Sequence, residues 1–180
     1  MLVKAEIVAS LQELVDRLAA EEIRISIHIV GGAAIVLSAR PDRQATRDID
    51  AWLNGPETAR IRLLDIAAQI ATERGWNTDW INDNARLFIP ESIGGAASEW
   101  TPLIDTDDIK VMIAQPQVLL AMKLRAGRGR RDLADLPALI HFCGLTTMAE
   151  IVAIFDHFYP HDDMSKKAAD WLSRNTPIAP

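Results

Sequence analysis

Cysteine is almost absent from this chain, because Cys143 is the single example among 180 residues. One thiol cannot form an internal disulfide framework or supply a zinc knuckle, so nothing demands an oxidising compartment. Long apolar runs are absent as well, since no stretch approaches the ~18 residues that are needed to span a bilayer. The N-terminal stretch carries charges from Lys4 to Arg17 and lacks the apolar core of a signal peptide. We therefore expect a cytoplasmic protein without a membrane segment.

Basic residues are outnumbered by acidic ones, with 19 Lys and Arg against 25 Asp and Glu. The formal net charge is −6 and the isoelectric point is about 5.2. This balance argues against a protein that coats nucleic acid with its whole surface, although it permits an acidic protein with one basic cleft. Hydrophobic residues make up 49% of the chain, which is enough for a packed core in one domain or in one domain with a helical appendage.

The first part of the chain mixes helical and strand patterns. Apolar residues from Ile7 to Leu18 recur at helical spacing, whereas residues 23–30 alternate apolar and polar side chains, as a strand does. Gly31 and Gly32 end that strand and are followed by a short helical segment. The remaining expectations for this part are a strand over residues 49–53, a helix from Pro56 to about Arg74 capped by Gly75, and strands around residues 86–89 and 109–113, with a loop between them at residues 92–100.

A helical pattern occupies the rest of the chain from Pro116 onward. The expected helices are residues 116–126, residues 132–142, a third that a capping box of Thr147 and Glu150 begins and that ends near Phe158, and a fourth capped by Ser165. The predicted fold class is therefore α+β. We expect an α/β core over residues 1–114 and a helical C-terminal part over residues 115–180 packed on it.

Two carboxylates, Asp48 and Asp50, follow the glycine pair along the chain. Residues i and i+2 of a strand point to the same side, so both carboxylates should project together while Ile49 faces the core. Two carboxylates at close range need a cation or a proton, and Mg²⁺ prefers oxygen ligands from one or two carboxylates together with substrate phosphates. Glycines where a strand passes into a helix let a phosphate approach backbone N–H groups. The combination predicts a nucleoside triphosphate site with metal on the acid side.

Each half of this pattern also has an ordinary structural explanation. A Gly-Gly step after a strand is often only a tight turn, and an Asp-x-Asp sequence is often a solvated face in which Arg47 pairs with one of the acids. The order of the two features, and their placement in the expected elements, favours the functional interpretation.

The glycine pair that opens a helix, followed by Asp-x-Asp on the next strand, resembles the nucleotidyltransferase signature of the DNA polymerase β superfamily. The stretch "RQATRDID", with Arg43, Thr46 and Arg47 before the two acids, is similar to the form found in the AbiEii-like branch. That branch includes toxins of bacterial toxin–antitoxin systems. Two downstream stretches are also similar to AbiEii-like proteins: "WINDNARLFIP" (residues 80–90) and "LLAMKLRAGRGRRDLADL" (residues 119–136).

The resemblance implies a mixed, twisted sheet flanked by helices, with a helical C-terminal part. It implies Mg²⁺-dependent (or Mn²⁺-dependent) transfer of a nucleotidyl group from an NTP to an acceptor such as a tRNA 3′ end, a protein or a small molecule. It also implies an antitoxin as a protein partner. The residues that match the family pattern are Gly31 and Gly32 for phosphate contact, Asp48 and Asp50 for metal, Lys123 for the nucleotide phosphates, and Asp132 for activation of the acceptor hydroxyl.

Lys123, Asp132 and Asp135 also have structural explanations. Lys123 lies among apolar residues of a helix, so its amine either reaches water along its apolar stem or binds an anion. Asp132 and Asp135 lie in the first turns of the next predicted helix, where acidic residues stabilise the helix by roughly 0.3–1 kcal/mol. A capping role and a general-base role are compatible for Asp132, and we favour the structural role for Asp135.

Arginines are dense only around residues 125–131, where they alternate with Gly127 and Gly129 in a predicted mobile loop between helices. A polyphosphate or an RNA backbone would be attracted to this basic patch, and a solvated loop that offsets nearby acids is the alternative. The patch consists of Arg125, Arg128, Arg130 and Arg131. Arg86, on a predicted strand, is a further candidate for anion contact, and a solvent-facing side chain is the alternative.

Among the departures of the sequence from the superfamily pattern is a missing acid on a later strand. Relatives often supply a third carboxylate from a later strand, whereas "IKVMIA" (residues 109–114) contains no acid, and Asp107 and Asp108 stand just before it. This departure favours a second hypothesis, in which the fold is a catalytically silent binding or regulatory module. A plain metal-binding domain without nucleotide is the third.

Overall fold

The computed structural model describes residues 1–38, 45–90, 93, 97–127 and 129–175. The fold is α+β, with helices and a mixed five-stranded sheet. The chain divides into two compact units, the first formed by Met1–Leu87 and Trp100–Ala114 and the second by Phe88–Glu99 and Gln115–Pro180. Among the described helices, none combines the length and the apolar character that crossing a membrane requires.

The first unit contains the sheet and three helices. Its elements in the described residues are β1 (Leu2–Val3), α1 (Lys4–Ala20), β2 (Ile25–Ile29), α2 (Gly31–Ser38), β3 (Ala45–Thr46), β4 (Ile49–Asn54), α3 (Glu57–Arg74), β5 (Ile81–Asn82), β6 (Trp100–Asp105) and β7 (Ile109–Ala114). The five-stranded sheet has the order β5-β4-β2-β7-β6, and β1 pairs separately with β3. Strand β2 runs antiparallel to β4 and parallel to β7, which makes it the central strand of a mixed sheet.

The pattern of β2 explains how the sheet is packed. Ile25, Ile27 and Ile29 are buried, whereas Ser26 and His28 between them are half-buried on the other face. Helix α1 buries the apolar stripe that its spacing predicted, from Ile7 to Leu18, and it packs against α3. The predicted α3 is confirmed as well, and it ends where Gly75 adopts the left-handed conformation with φ of 65°.

The second unit contains α4 (Pro116–Ala126), α5 (Arg130–Phe142), α6 (Met148–Phe158) and α7 (Lys166–Asn175). The capping box that was predicted for α6 is confirmed, since Thr147 Oγ1 accepts from Glu150 N at 3.3 Å and Glu150 Oε2 accepts from Thr147 N at 2.9 Å. Ser165 caps α7 as expected, because its Oγ accepts from Ala168 N. Each of these helices therefore begins close to where the sequence places it.

The predicted strand around residues 86–89 is wrong. Asn82 Oδ1 accepts from Asn84 N at 3.0 Å, and Arg86 N donates to Asp83 O, so the chain turns here instead of extending. Arg86–Phe88 consequently forms a 3₁₀ helix.

The predicted loop at residues 92–100 is only partly described. Ala97–Glu99 forms a 3₁₀ turn, and Trp100 already begins β6, a strand that the sequence interpretation missed. Pro102 lies within β6, which is an edge strand of the sheet, where the missing N–H of proline disrupts the least pairing. Residues 92 and 94–96 of this stretch lie outside the described residues.

Candidate functional site

The step from β2 into α2 brings the glycine pair to the start of a helix. Gly31 has a φ of 62°, a left-handed conformation that glycine adopts without the steric penalty of a Cβ. Gly32 follows it in the first turn of α2, where backbone N–H groups have no acceptor within the helix. The expected transition from strand to helix at these glycines is therefore present.

Asp50 lies directly against Gly31. A β-carbon placed on Gly31 would stand only 2.7 Å from Asp50 Oδ2. The close approach of the carboxylate thus depends on the absence of a side chain at position 31. The structure brings together one member of the acid pair and the first residue of the glycine pair, as the sequence pattern predicted.

Sheet pairing fixes this arrangement from both sides of β4. Val30 N donates to Asp50 O at 2.9 Å, and on the other side Asp50 pairs in register with Asn82 of β5. Trp80 anchors β5, because its buried indole Nε1 donates to Ala67 O of α3 at 2.8 Å. The position of Asp50 is therefore set by backbone hydrogen bonds and by a buried aromatic anchor.

Asp48 immediately precedes β4, and the buried hydroxyl of Thr46 donates to its backbone carbonyl at 3.2 Å. Ile49, between the two acids, is fully buried, as expected, and Asp48 and Asp50 are both half-buried. Arg47 is exposed. Arg43, which belongs to the same motif, lies outside the described residues.

The oxygen ligands of Asp48 and Asp50 suit a hard divalent cation such as Mg²⁺, which commonly takes one or two carboxylates and completes its shell with phosphate oxygens and water. No group of three or more His, Cys, Asp or Glu side chains in the described part of the chain is arranged to hold a metal. A metal at this position would accordingly rely on two protein carboxylates and on oxygens of a bound substrate.

Asp107 and Asp108 stand at the opposite end of the sheet from Asp50. Ile25 N, at the start of β2, donates to Asp108 O at 3.1 Å, whereas Gly31 follows the other end of that strand. The five residues of β2 separate the two ends by roughly 16 Å. These two acids therefore cannot complete a site that is built on Asp50 and Gly31.

Arg86 lies beside Asp83, with 4.0 Å between its Nη1 and Asp83 Oδ2, and its side chain is 57% exposed. Burial raises the pKa of Asp83, and the guanidinium groups of Arg86 and Arg60 oppose that increase. The structure thus gives Arg86 an acidic neighbour, and its assignment as an anion contact stays a prediction.

A buried ion-pair cluster joins α4 and α5 in the second unit. Lys123 Nζ lies 2.5 Å from Asp132 Oδ1 and 3.2 Å from Asp135 Oδ2. The three side chains are only 12%, 9% and 6% exposed, respectively. The lysine therefore does not simply extend into water, because its amine pairs with two acids of α5.

Sequence reasoning weighed Lys123 and the two aspartates separately and missed this cluster. The available signal was the spacing of Asp132 and Asp135, which share one face of α5, and the apolar surroundings of Lys123 in α4. A lysine that is buried in such surroundings requires an acidic partner, and the nearest helix offers two.

The basic patch is only partly described. Arg125 pairs with Asp162 at 2.8 Å, and its guanidinium lies 4.9 Å from the centre of the Tyr159 ring. Arg130 and Arg131 belong to the first turn of α5, and Arg128 lies outside the described residues. The predicted loop is short, since α4 ends at Ala126 and α5 begins at Arg130.

Comparisons with known proteins add no relative: no family model matches the chain, and no curated protein and no solved structure is significantly similar to it.

Replacing Gly31 with alanine is expected to lower the free energy of unfolding by more than the same change at Gly75. Both glycines have φ near 65°, so each substitution incurs about 1–2 kcal/mol of backbone strain. A methyl group at position 31 must also displace Asp50, whereas a methyl group at position 75 meets no atom within 4 Å. Urea denaturation of both variants measures the difference, and equal losses would contradict the close contact of Gly31 with Asp50.

Proposed function

We propose that this chain is a Mg²⁺-dependent nucleotidyltransferase that moves an NMP group from an NTP to an acceptor such as a tRNA 3′ end or a protein. The observation that carries the proposal is the contact of the Asp50 carboxylate with the backbone of Gly31 at the start of α2. A carboxylate at a helix N-terminus is stabilised by the helix dipole alone, and here a second carboxylate lies two residues earlier. A metal–triphosphate complex uses both parts of this arrangement.

Within this proposal the residues of the first unit bind the substrate. Asp48 and Asp50 would hold the metal, which would supply positive charge to the reacting phosphates. The N–H groups at Gly31 and Gly32 hold phosphate oxygens. Arg86 is assigned to anion contact on the strength of its charge alone.

The resemblance also assigns Lys123 and Asp132, which lie in the second unit, to the reaction. Asp132 accepts the proton of the acceptor hydroxyl. At the same time the hydroxyl oxygen of the acceptor bonds to the α-phosphorus, and the bond from the α-phosphorus to pyrophosphate breaks. Lys123 neutralises phosphate charge and orients Asp132 through their 2.5 Å contact. Asp135, the second acid on Lys123, holds the ammonium in place.

The remaining parts of the proposal follow from the sequence resemblance. They are membership of the AbiEii-like branch with a nucleotidyltransferase-like fold, action in the cytoplasm, and a role as the toxin of a toxin–antitoxin pair with the antitoxin as its protein partner. The absence of a membrane-crossing helix among the described residues is compatible with these parts and supports none of them specifically.

A catalytically silent binding module is the second candidate, and one observation favours it. The acids before β7 lie at the far end of the sheet from Asp50, and within the described residues no third acid joins Asp48 and Asp50 in a group that could hold a metal. Such a module would bind an NTP without transferring it.

The proposal is tested by incubating the purified protein with each α-labelled NTP, Mg²⁺ and total RNA. We expect label in RNA or in the protein itself, and we expect EDTA to abolish the transfer. An NTP-dependent thermal shift without transfer, in Mg²⁺ and in Mn²⁺, would instead establish the silent module. A shift with metal alone would indicate a plain metal-binding domain.

A further inference from the structure

An apolar cavity of about 260 Å³ lies within the second unit, between α6, α7 and the segment that joins them. Its apolar wall is formed by Met148, Val152, Phe155, Met164, Ala169 and Leu172. None of the residues assigned to nucleotidyl transfer lines it. The cavity is therefore a separate feature of the fold, and the proposed reaction does not explain it.

The size and wall of this cavity suit an inserted side chain better than a nucleotide. Pockets for small-molecule ligands are typically about 300–1,000 Å³, and nucleotides also need polar groups for their phosphates and sugar. An apolar hollow below that range has room for one large aliphatic or aromatic side chain. Val152, on its wall, is 37% exposed, and the unbranched side chains of Met148 and Met164 adapt readily to different partners.

Three aspartates also line the cavity: Asp156, Asp162 and Asp163. All three are exposed, and Asp162 pairs with Arg125 at 2.8 Å. In the part of the chain that the structure describes, Asp156 and Asp163 form no ion pair. The cavity thus combines an apolar hollow with a negative rim, and the complementary surface is an apolar side chain with basic neighbours.

We propose that this cavity is the docking site for an amphipathic helical segment of a partner protein, in which one large apolar side chain is flanked by lysine or arginine. A groove that receives an apolar helix face is a recurring mode of peptide recognition, and the acidic rim sets the charge of the guest. A second copy of this chain fits poorly. A symmetric contact would bring the same aspartates of both copies together, and each copy carries a net charge of −6.

The test uses labelled model peptides and the full-length protein. A fluorescein-labelled Lys/Leu/Ala peptide of about 16 residues, long enough to form a helix, is compared by fluorescence anisotropy with two controls. One control replaces every lysine with glutamate, and the other replaces the leucines with alanine. We expect the Lys/Leu/Ala peptide to bind at least tenfold more tightly than either control.

Variants and methyl NMR locate the binding. Ala169 is an exposed wall residue, so Ala169→Trp fills the cavity without removing a core side chain, and it should abolish binding. Asp156→Lys combined with Asp163→Lys should weaken binding at least tenfold, whereas Asp170→Lys on the same unit, outside the cavity wall, should not. On addition of the peptide, the methyl resonances of Met148 and Met164 should shift and that of Met112 in β7 should not.

Any of three results would overturn this inference. The first is no binding of the Lys/Leu/Ala peptide up to about 1 mM, which corresponds to a binding free energy of about −4 kcal/mol, and the second is peptide binding that Ala169→Trp leaves intact. The third is a dimer in analytical ultracentrifugation that Ala169→Trp dissociates, which would assign the cavity to a second copy of the chain. Ala169→Trp lies outside the proposed catalytic groups, so it should leave nucleotidyl transfer unchanged. The docking site and the enzymatic proposal can therefore fail independently.

Discussion

Replacing Asp50 with asparagine is expected to reduce nucleotidyl transfer by roughly 100-fold or more while the protein stays folded. Asparagine keeps the shape of the side chain beside Gly31 but removes its negative charge, and with it half of the carboxylate pair that would hold the metal. Mutation of a residue that only hydrogen-bonds to a metal ligand typically lowers metal affinity or activity by about 10–100-fold, so loss of a direct ligand should lower activity at least as much. Transfer of label from α-labelled NTP measures the loss, and circular dichroism verifies the fold.

Asp107→Asn is the matched control, since it removes an acid of the same type at the far end of the sheet, and it should leave transfer unchanged. In bacteria, expression of the wild type should arrest growth, and the Asp48→Asn/Asp50→Asn double variant should relieve the arrest. Equal activity of Asp50→Asn and wild type would show that the carboxylate beside Gly31 has no part in catalysis. Growth arrest by the double variant would separate any toxicity from transfer.

Of the substitutions described here, Lys123→Met is expected to lower the free energy of unfolding the most, by about 3–5 kcal/mol. The ammonium lies between Asp132 and Asp135 with 12% of its side chain exposed, so its removal leaves two buried carboxylates without their common partner. Breaking a buried ion pair from one side typically has a cost of this size. Urea denaturation measures the effect. The slope of the free energy of unfolding against urea concentration shows whether the unfolded state has changed as well.

Lys110→Met is the control because it makes the same substitution at an exposed ion pair. Lys110 pairs with Asp105 at 3.5 Å, and its side chain is 53% exposed. Its loss should be at most about 1 kcal/mol, the usual range for a surface pair. A triple variant with Lys123→Met, Asp132→Asn and Asp135→Asn removes all three charges and should recover much of the stability. If it folds but transfers no nucleotide, the cluster also serves the reaction. A Lys123→Met loss no greater than that of Lys110→Met would contradict the cluster as a stabilising element.

The sequence predicted those elements whose boundaries carry local chemical signals. Gly75 and the capping box of Thr147 and Glu150 marked helix ends correctly, because their roles depend on a few neighbouring residues. The alternation of apolar and polar residues around Ile27 was also enough to predict β2, and the helical spacing of apolar residues was enough to predict α1. The meeting of Asp50 with Gly31 was expected from the order of the two motifs along the chain. The structure achieves it because β4 pairs antiparallel to β2 and places its first residues at the end of that strand.

Elements that depend on distant partners were not predictable in the same way. Two-residue strands such as β5 exist only because a neighbouring strand pairs with them, and β6 contains Pro102, which argues locally against a strand. The prediction of a strand at Arg86 was wrong because the turn at Asp83 and Asn84 outweighs the apolar residues that follow. The bond between Lys123 and Asp132 spans a loop between two helices. Helix periodicity shows that Asp132 and Asp135 share a face, but it does not show which residue of another helix that face meets.

The central position of β2 has a consequence for how the chain is made. Its partner β4 emerges from the ribosome soon after it, but its other neighbour, β7, begins only at Ile109. Pairings between such distant segments form slowly, because closing the intervening loop costs entropy before the contact is gained. During synthesis of the residues between β4 and β7, one edge of β2 therefore has no strand to bond with. A nascent chain in that interval presents a bare strand edge, which is a template for aggregation, and chaperone protection is most valuable there.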